Sequence, residues 1–340
     1  MKIKQSVATR FVTSYQQIET YNHSHIPKAG DVGIFKIIEL GRHTSIQGID
    51  KRLQAIFEGD LIMASFANRY ATSQFEGYVP SAPQDTYDIL GAGGAIGVLK
   101  SKNAALKDEE PTKVQLVSYC CNENSTIINT LFYHIERKAY TGTLPGKAKV
   151  ILSIGATMDS GKTTTAAFTA RGLKMGGHRV GFIKLTGTAH TKDKDFVYDC
   201  GADFSLDFSD AGFPSTFLCS KETILDIYQT LLMQFNNHAV DYIVMEIADG
   251  ILQRETDFLI KDQSFMKTIH STIFSCGDSL SALKGVELLQ KIGITPNILS
   301  GKFTMSPLLI EEVKAITQVP IFTIEEIMTG NVNNSITGDA

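Results

Sequence analysis

The stretch that decides the fold reads Ala156-Thr157-Met158-Asp159-Ser160-Gly161-Lys162-Thr163-Thr164. Its first eight residues fit the pattern [AG]-x-x-x-x-G-K-[ST], in which successive backbone N–H groups turn inward around phosphate oxygens. Gly161 permits close approach of the backbone, Lys162 is expected to reach the β- and γ-phosphates, and Thr163 is expected to offer its hydroxyl to Mg²⁺. The sequence therefore predicts a nucleotide-binding loop, a P-loop, over residues 156–164.

The flanking sequence supplies the structural context that this loop requires. Val150 to Ile154 is a continuous apolar run, as expected for a strand that is buried on both faces of a sheet. Lys162 to Met175 has the pattern of a helix, whose positive N-terminal end would favour a bound phosphate. A strand, a P-loop and a helix are thus predicted in the order that a phosphate site needs.

Strands alternate with helices on the C-terminal side of the loop, and this alternation predicts an α/β fold with a doubly wound parallel sheet. The predicted strands are Val180–Leu185, Tyr242–Ile247, Ser271–Cys276, Asn297–Ser300 and Pro320–Ile324. The predicted helices are Glu222–Phe235, Leu280–Ile292 and Leu308–Ile316.

The N-terminal part of the chain has short apolar segments separated by glycine, proline and aspartate turns. The segments are Val32–Leu40, Arg52–Phe57, Leu61–Phe66, Phe75–Val79 and Val114–Cys121. Spacing this tight predicts a smaller β-rich, barrel-like domain. A linker rich in glycine and threonine around 140–147 then separates a domain over 1–146 from a P-loop domain over 147–328, with a polar tail over 329–340.

Composition limits the classes of function. The 340 residues carry a formal net charge of -4, which disfavours nucleic acid as a partner. Five cysteines without a C-x-x-C pair are typical of free thiols in a reducing compartment. No secretory leader and no apolar run of about 20 residues is evident, so we expect no membrane partner and a cytoplasmic location.

A magnesium-bound nucleotide needs carboxylates close to the P-loop. Glu246 ends the predicted strand that begins at Tyr242, and Asp249 follows three residues later. Ligands of open α/β sheets bind beyond the carboxyl ends of the strands. We therefore expect Glu246 at the site, and Asp249 is a weaker candidate for it.

The P-loop, and the lysine that ends the next strand in Phe182-Ile183-Lys184, resemble those of dethiobiotin synthetase and the cobyric acid synthases. The resemblance covers about 147–325, and the N-terminal domain matches no family that we recognise. It implies that Lys184 reaches phosphate and substrate carboxylate, so that the catalytic residues are Lys162, Lys184 and Glu246. The further residues that it implies are Asp193 or Asp195 with Thr163 and Glu246 for Mg²⁺, and Thr186, Gly187 and Thr188 for the substrate.

The sequence departs from that group in ways that leave alternatives open. Ile247-Ala248-Asp249-Gly250 replaces the glycine-rich stretch of dethiobiotin synthetase. Arg254 is either a ligand for an anionic substrate or a surface residue at a helix start. Residues 207–216 form either a substrate loop or a surface connection.

Two functions follow from these features. The first is an ATP- and Mg²⁺-dependent enzyme, ligase-like or kinase-like, that transfers the γ-phosphate to a small carboxylate-bearing substrate. The second is a nucleotide-hydrolysing switch or accessory protein, an ATPase or GTPase whose β-rich domain binds a partner or cofactor. ATP is the expected nucleotide and GTP the alternative, since no guanine-specific N-K-x-D motif is evident. A homodimer is left open.

Overall fold

The computed structural model describes residues 2–21, 23–133 and 135–338. The chain divides into two compact units. The β-rich unit comprises the chain up to Arg137 together with Gly187–Thr191 and Phe208–Leu218, and the α/β unit comprises Lys138–Thr186, Lys192–Asp207 and the chain from Cys219 onward. No helix in the described ranges combines the length and the apolar character needed to cross a bilayer.

The β-rich unit is built from short strands. They are β1 (Lys4–Gln5), β2 (Gln16–Ile18), β3 (Val32–Glu39), β4 (Ser45–Gln47), β5 (Leu53–Ala55), β6 (Leu61–Phe66), β7 (Phe75–Tyr78), β8 (Tyr87–Gly91), β9 (Ala95–Lys102) and β10 (Lys113–Cys121). Strands β4 and β5 form a separate hairpin, and the others belong to one sheet that is mostly antiparallel.

The pairing of that sheet closes on itself. Its order is β1-β6-β3-β10-β8-β9-β7, and β6 also pairs with β9, so the strands β6, β3, β10, β8 and β9 form a ring. Aromatic side chains fill the enclosed core, where Phe35, Phe66 and Tyr87 meet edge to face. The closed ring of strand pairings agrees with the predicted barrel-like arrangement.

The α/β unit alternates strands and helices. Its strands are β11 (Lys149–Gly155), β12 (Val180–Lys184), β13 (Phe204–Asp207), β14 (Tyr242–Glu246), β15 (Ile269–Ser275) and β16 (Ile298–Ser300). Its helices are α1 (Lys162–Met175), α2 (Lys192–Asp199), α3 (Lys221–Gln234), α4 (Arg254–Ile260), α5 (Gln263–Met266), α6 (Ser279–Lys291), α7 (Pro307–Lys314), α8 (Ile324–Met328) and α9 (Asn333–Thr337).

The sheet of this unit has the order β13-β12-β14-β11-β15-β16, and each of its pairings is parallel. Parallel strands put their carboxyl ends at one edge, where open α/β sheets bind ligands. The register aligns Lys184 with Glu246 on one side and with Asp207 on the other. Three charged side chains therefore lie at the ends of three neighbouring strands. The mixed α/β architecture with a parallel sheet fits a P-loop NTPase fold.

Helix α1 begins directly after the P-loop because Gly161, with φ of 102°, makes the turn into it. Ala166, Ala167, Ala170 and Leu173 form its buried face and pack into the core of the sheet. These residues recur at the three- and four-residue spacing of one helix face. The helix is thus held rigidly at its first turn, where Lys162 and Thr163 lie.

The C-terminal end differs from the sequence prediction. Pro320–Ile324 is not a strand; only Ile321 forms a bridge, with Leu299, and α8 begins at Ile324. Thr323 caps that helix by accepting a hydrogen bond from the backbone of Glu326, so the chain turns into a helix at this point. The predicted polar tail contains α9, whose Ile336 is buried in the core of the unit.

The boundaries of the two units are more complicated than the single linker predicted around 140–147. Gly187–Thr191 and Phe208–Leu218 lie within the predicted range 147–328 but belong to the β-rich unit. In that unit Ala189 donates its N–H to the carbonyl of Pro214, and Asp210 forms an ion pair with Arg10. The β-rich unit is therefore assembled from three pieces of chain, a property that local sequence patterns do not reveal.

Candidate functional site: a nucleotide-binding cavity

A cavity of about 330 Å³ lies at the carboxyl edge of the parallel sheet. Its volume falls at the lower end of the range for small-ligand sites. The lining residues are Met158, Asp159, Gly161, Lys162, Thr163, Thr164, Lys184, Asp193, Glu246, Ala248, Asp249 and Lys302. The P-loop, the end of β12, the start of α2 and the end of β14 thus converge on one space.

A larger groove of about 670 Å³ lies between α6 and residues 316–320 of the same unit. Its lining mixes apolar side chains such as Leu280 and Leu283 with polar ones, and its lysine, Lys284, pairs with Glu287. A phosphate needs clustered N–H donors and cations, which the P-loop cavity has. The lining of the smaller cavity is therefore the one that suits a phosphate.

Close backbone packing fixes the shape of the P-loop. A Cβ added to Gly155 would lie 2.3 Å from Oγ of Ser160, and one added to Gly161 would lie 3.1 Å from Cα of Gly301. The N–H of Lys302 donates to the carbonyl of Ser160 at 3.1 Å. The loop that follows β16 therefore supports the P-loop, and it brings the Lys302 side chain to the cavity.

Lys162 is buried, and among the residues that the structure describes no carboxylate lies within ion-pairing distance of its Nζ. Its side chain is directed at the loop, where Nζ donates to the carbonyl of Thr157 at 2.8 Å. Burial lowers the pKa of Lys162, although Glu246 and Asp249 act in the opposite direction. An anionic phosphate in the cavity would supply the negative charge that this ammonium group lacks.

Glu246 has the environment of a cation ligand. Its Oε1 accepts a hydrogen bond from Oγ1 of Thr163 at 2.9 Å, and its Oε2 is buried without a hydrogen-bond partner among the described residues. Burial raises the pKa of Glu246, and the nearby ammonium groups of Lys184 and Lys162 offset this only in part. An unsatisfied buried carboxylate oxygen is costly, and a bound cation would remove that cost.

Thr163 and Glu246 fit a Mg²⁺ site of the kind that shares its ion with a nucleotide. Mg²⁺ in such sites takes one or two protein oxygens, and phosphate oxygens and waters complete its octahedron. In the described ranges no group of three or more His, Cys, Asp and Glu side chains is arranged to hold a metal ion. Thr163 and Glu246 would supply two oxygen ligands to a magnesium ion that arrives with a nucleotide.

Lys184 lies at the centre of a group of carboxylates. Its Nζ pairs with Asp193 at the start of α2 and lies 3.8 Å from Oε1 of Glu246. Burial alone would lower the pKa of Lys184, but Glu246, Asp193 and Asp207 raise it above its ordinary value. Lys184 is therefore a fully charged, buried ammonium group that can exchange a carboxylate for a phosphate.

A second buried ion pair lies beside the first. Nζ of Lys194, the residue after Asp193 in α2, lies 3.1 Å from Oδ2 of Asp207 at the end of β13. Both side chains are less than a tenth exposed. Together the pairs Lys184–Asp193 and Lys194–Asp207 connect the first turn of α2 to two neighbouring strand ends.

Asp249 lies in the loop that follows β14, and this loop covers the start of the P-loop. Its φ of 63° is in the left-handed region, which is sparsely populated by residues other than glycine and is often found at functional sites. Ile251 donates its N–H to the carbonyl of Gly155 at 2.9 Å, and Ala248 donates its N–H to Oγ1 of Thr186. These bonds hold Asp249 at the rim of the cavity.

Replacing Gly250 by alanine is expected to weaken nucleotide binding about tenfold or more. A Cβ there would lie 2.3 Å from the carbonyl oxygen of Ala156, so the covering loop would have to move off the P-loop. Equilibrium binding of a fluorescent nucleotide measures the effect. Gly277→Ala is the matched control because its Cβ would meet no atom within 4 Å. Equal affinities of the two variants would contradict this account of the loop.

A Mg²⁺–nucleotide complex is expected to displace a proton from Glu246 at mildly acidic pH. Because the pKa of Glu246 is raised above 4.5, part of the population is protonated at pH values between 4.5 and the raised pKa. Affinity should therefore fall as the pH falls through that range. Calorimetry in two buffers of different ionisation enthalpy would detect the proton that is released on binding. Glu246→Gln should remove the contribution of this proton to the binding heat. The same proton release in wild type and variant would contradict the prediction.

The structure gathers some of the residues predicted from sequence and separates others. Lys162, Thr163, Thr164, Lys184, Asp193, Glu246 and Asp249 line the cavity, whereas Asp195 does not. Arg254 donates to the carbonyl of Cys219 and pairs with Glu255, outside the lining. Thr186 holds the loop after β14, and Gly187 and Thr188 belong to the β-rich unit.

The sequence prediction did not name Lys302 or Lys194, and it named Asp207 only as the first residue of the stretch 207–216, left open between a substrate loop and a surface connection. Lys302 follows the end of β16, and Asp207 ends β13, so both share the strand-end position that pointed to Glu246. The missing information was strand order, since β13 must lie beside β12 for Asp207 to approach Lys184. Lys194 could have been found only from its pairing with Asp207.

No protein-family model matches the chain. No curated protein sequence matches it either. Neither result tests the resemblance to dethiobiotin synthetase, which stays a prediction.

Several solved structures are similar to part of the chain. The signal recognition particle receptor FtsY from Elizabethkingia anophelis, in complex with GDP, is 14% identical with a TM-score of 0.38, over 59% of this chain and 67% of that one. A second structure of that receptor is 15% identical with a TM-score of 0.35, over 58% of this chain and 66% of that one. The 54 kDa signal recognition particle protein from Aeropyrum pernix K1, in complex with GDP, is 16% identical with a TM-score of 0.38, over 58% of this chain and 47% of that one. At this level of similarity the function must be argued from the cavity itself.

Proposed function

We propose that the chain hydrolyses a nucleoside triphosphate with Mg²⁺ and acts as a switch whose β-rich unit binds a partner or cofactor. The observation that carries the proposal is the Glu246 carboxylate. Its Oε1 accepts a hydrogen bond from the P-loop threonine, and its Oε2 is buried without a hydrogen-bond partner among the described residues. In a magnesium-bound nucleotide, the cation would contact that oxygen and the phosphates would neutralise the ammonium group of Lys162.

Each residue has a role that follows from its position. The P-loop N–H groups and the N-terminal end of α1 bind the phosphates. Lys162 leaves the Thr157 carbonyl to neutralise the β- and γ-phosphates, and Lys184 approaches the terminal phosphate from the other side. When bound, Mg²⁺ would neutralise charge on the phosphate oxygens. Such catalysis consists of positioning and charge stabilisation, with water as the acceptor of the phosphoryl group.

Hydrolysis is favoured over transfer to a substrate because the predicted substrate residues do not converge on the cavity. Gly187 and Thr188 belong to the β-rich unit, and Arg254 is paired with Glu255. Lys184, the remaining cation for a substrate carboxylate, already pairs with Asp193. The cavity of about 330 Å³ is small for a nucleotide tail and a second ligand together.

Release of inorganic phosphate from ATP and from GTP tests the proposal. The comparison of the two nucleotides also shows whether the protein prefers adenine or guanine. We expect Mg²⁺-dependent release over many turnovers with at least one of the two nucleotides. Chelation of the metal should abolish it, and so should Lys162→Ala. A protein that binds a nucleotide tightly but releases no phosphate over many hours would overturn the hydrolase assignment.

A second candidate is transfer of the γ-phosphate to a small carboxylate-bearing substrate. The observation in its favour is the Lys184 ammonium group, which lines the cavity beside Glu246 and could hold a carboxylate in place of Asp193. Incubation with γ-labelled ATP and a panel of dicarboxylic and amino acids distinguishes the two functions. Label in an acyl phosphate, or release of labelled phosphate that depends on one of the acids, supports transfer, because an amine that captures the acyl phosphate frees the label. Label only in free phosphate, released at a rate that no acid changes, supports hydrolysis.

A further inference from the structure

The chain passes from one unit to the other between two side chains of the nucleotide site. Lys184 and Asp193 both line the cavity and pair with each other. The residues between them leave the α/β unit after Thr186, and Gly187–Thr191 belong to the β-rich unit. Along the chain, the Lys184–Asp193 pair therefore brackets a short segment of the other unit.

Within the β-rich unit, a glutamine side chain holds the end of this segment. Nε2 of Gln47 donates to Oγ1 of Thr191 at 2.8 Å, and its Oε1 accepts from the backbone N–H of Thr191 at 2.9 Å. Gln47 is 3% exposed and Thr191 is 2% exposed. Two buried hydrogen bonds from one amide fix both the backbone and the side chain of Thr191 against the hairpin β4–β5.

The middle of the segment is packed equally closely. A Cβ added to Gly93 would lie 1.7 Å from the carbonyl oxygen of Ala189, so only glycine fits at that position. The N–H of Ala189 donates to Pro214, and Thr188 forms a bridge with Ser215. Residues 187–191 are thus an integral part of the β-rich unit and cannot move without disturbing their neighbours.

The two ends of the segment are held differently. Gly187 has φ of 142°, a conformation that side-chain-bearing residues rarely adopt, and its N–H and carbonyl both hydrogen-bond to Thr216. On the other side of the segment, α2 is held by Lys184–Asp193, by Lys194–Asp207 and by the buried side chain of Val197. Loss of the first pair would therefore release Asp193 from Lys184 while Lys194 and Val197 keep α2 in place.

We propose that Lys184 senses the terminal phosphate by exchanging Asp193 for it, and that residues 187–191 transmit this exchange to the β-rich unit. The proposal rests on the nucleotide binding proposed above. A terminal phosphate carries more negative charge than a carboxylate, and it would repel Asp193 once Lys184 has turned to it. A diphosphate lacks the competing group, so the two nucleotide states favour different positions of Asp193, as a switch requires.

Hydrogen–deuterium exchange of the full-length protein, analysed by mass spectrometry, tests the proposal. The three states are nucleotide-free, diphosphate with Mg²⁺ and non-hydrolysable triphosphate with Mg²⁺. We expect exchange of peptides covering 187–191 and β4 to differ at least about threefold between the triphosphate state and the other two. Calorimetric binding of both nucleotides with unchanged exchange in these peptides would overturn the proposal. Absent binding or absent hydrolysis would instead count against the proposed function.

Two variants make the test specific. Gln47→Ala should leave nucleotide affinity unchanged and remove the triphosphate-dependent difference at β4, because the amide that holds Thr191 is gone. Gln54→Ala is the matched control, since the amide of this glutamine lies in the same hairpin and donates to Oδ1 of Asp50 at 3.3 Å. Asp193→Asn should give the triphosphate-like exchange without nucleotide. Persistence of the β4 difference in Gln47→Ala would contradict transmission through Thr191.

Discussion

Replacing Lys162 by alanine is expected to lower the affinity for a nucleoside triphosphate by about a hundredfold or more. The lysine is 6% exposed, and its Nζ is held at the P-loop by the Thr157 carbonyl. It would make charge-assisted hydrogen bonds to two phosphates, each of which contributes about 1.5–3 kcal/mol. Equilibrium binding of labelled ATP and GTP measures the loss.

Lys174→Ala is the matched control for that variant. Lys174 lies on the same helix, is partly exposed and pairs with Asp203, so its removal should change stability and affinity little. Retention of wild-type affinity in Lys162→Ala would show that the P-loop does not hold the phosphates.

Glu246→Gln is expected to change catalysis and stability in opposite directions. Without the carboxylate charge, Mg²⁺-dependent hydrolysis should fall by roughly a hundredfold or more, since the metal loses its ionised protein ligand. Without nucleotide, the free energy of unfolding at neutral pH should rise, because the burial that raises the pKa of Glu246 no longer acts against a charged group. The neutral amide occupies the same volume, and Lys184 keeps its pair with Asp193.

The sign of the stability effect follows from the raised pKa of Glu246. Because the pKa of Glu246 is raised in the folded protein, its protonation stabilises the folded state. This stabilisation is fully present below the ordinary pKa of 4.5, and it is lost as the pH rises through the folded-state pKa. The advantage of Glu246→Gln should therefore shrink as the pH falls towards 4.5. Denaturant unfolding across this pH range measures it, with Glu287→Gln as an exposed control whose pKa is lowered by Lys284 and Lys291. A constant difference at every pH would contradict the prediction.

Much of the candidate site was predictable from the sequence because its central part is local. Residues 156–164 place the proposed phosphate contacts within one loop, and the adjoining strand and helix could be recognised from apolar periodicity. Glu246 was predictable because it ends a buried strand, and parallel strands end at one edge. Lys184 was implied by the resemblance to dethiobiotin synthetase. These inferences need no knowledge of strand order.

The remainder depends on contacts between distant parts of the chain. Asp207 reaches the site only because β13 pairs with β12, and Lys302 only because the loop after β16 packs on Gly161. Gly187 and Thr188 were predicted at the substrate side because they follow Lys184, yet their partners lie in the β-rich unit. Sequence proximity to a site residue did not determine which unit the next residues join.

The central claim is that the P-loop cavity binds a magnesium-bound nucleoside triphosphate. Isothermal titration calorimetry of the full-length protein with ATP and with GTP, each with and without Mg²⁺, tests it most directly. We predict saturable heat at one nucleotide per chain with at least one of them, strengthened by the metal and absent in Lys162→Ala. No heat with either nucleotide in the presence of Mg²⁺, from protein that unfolds cooperatively, would contradict the claim.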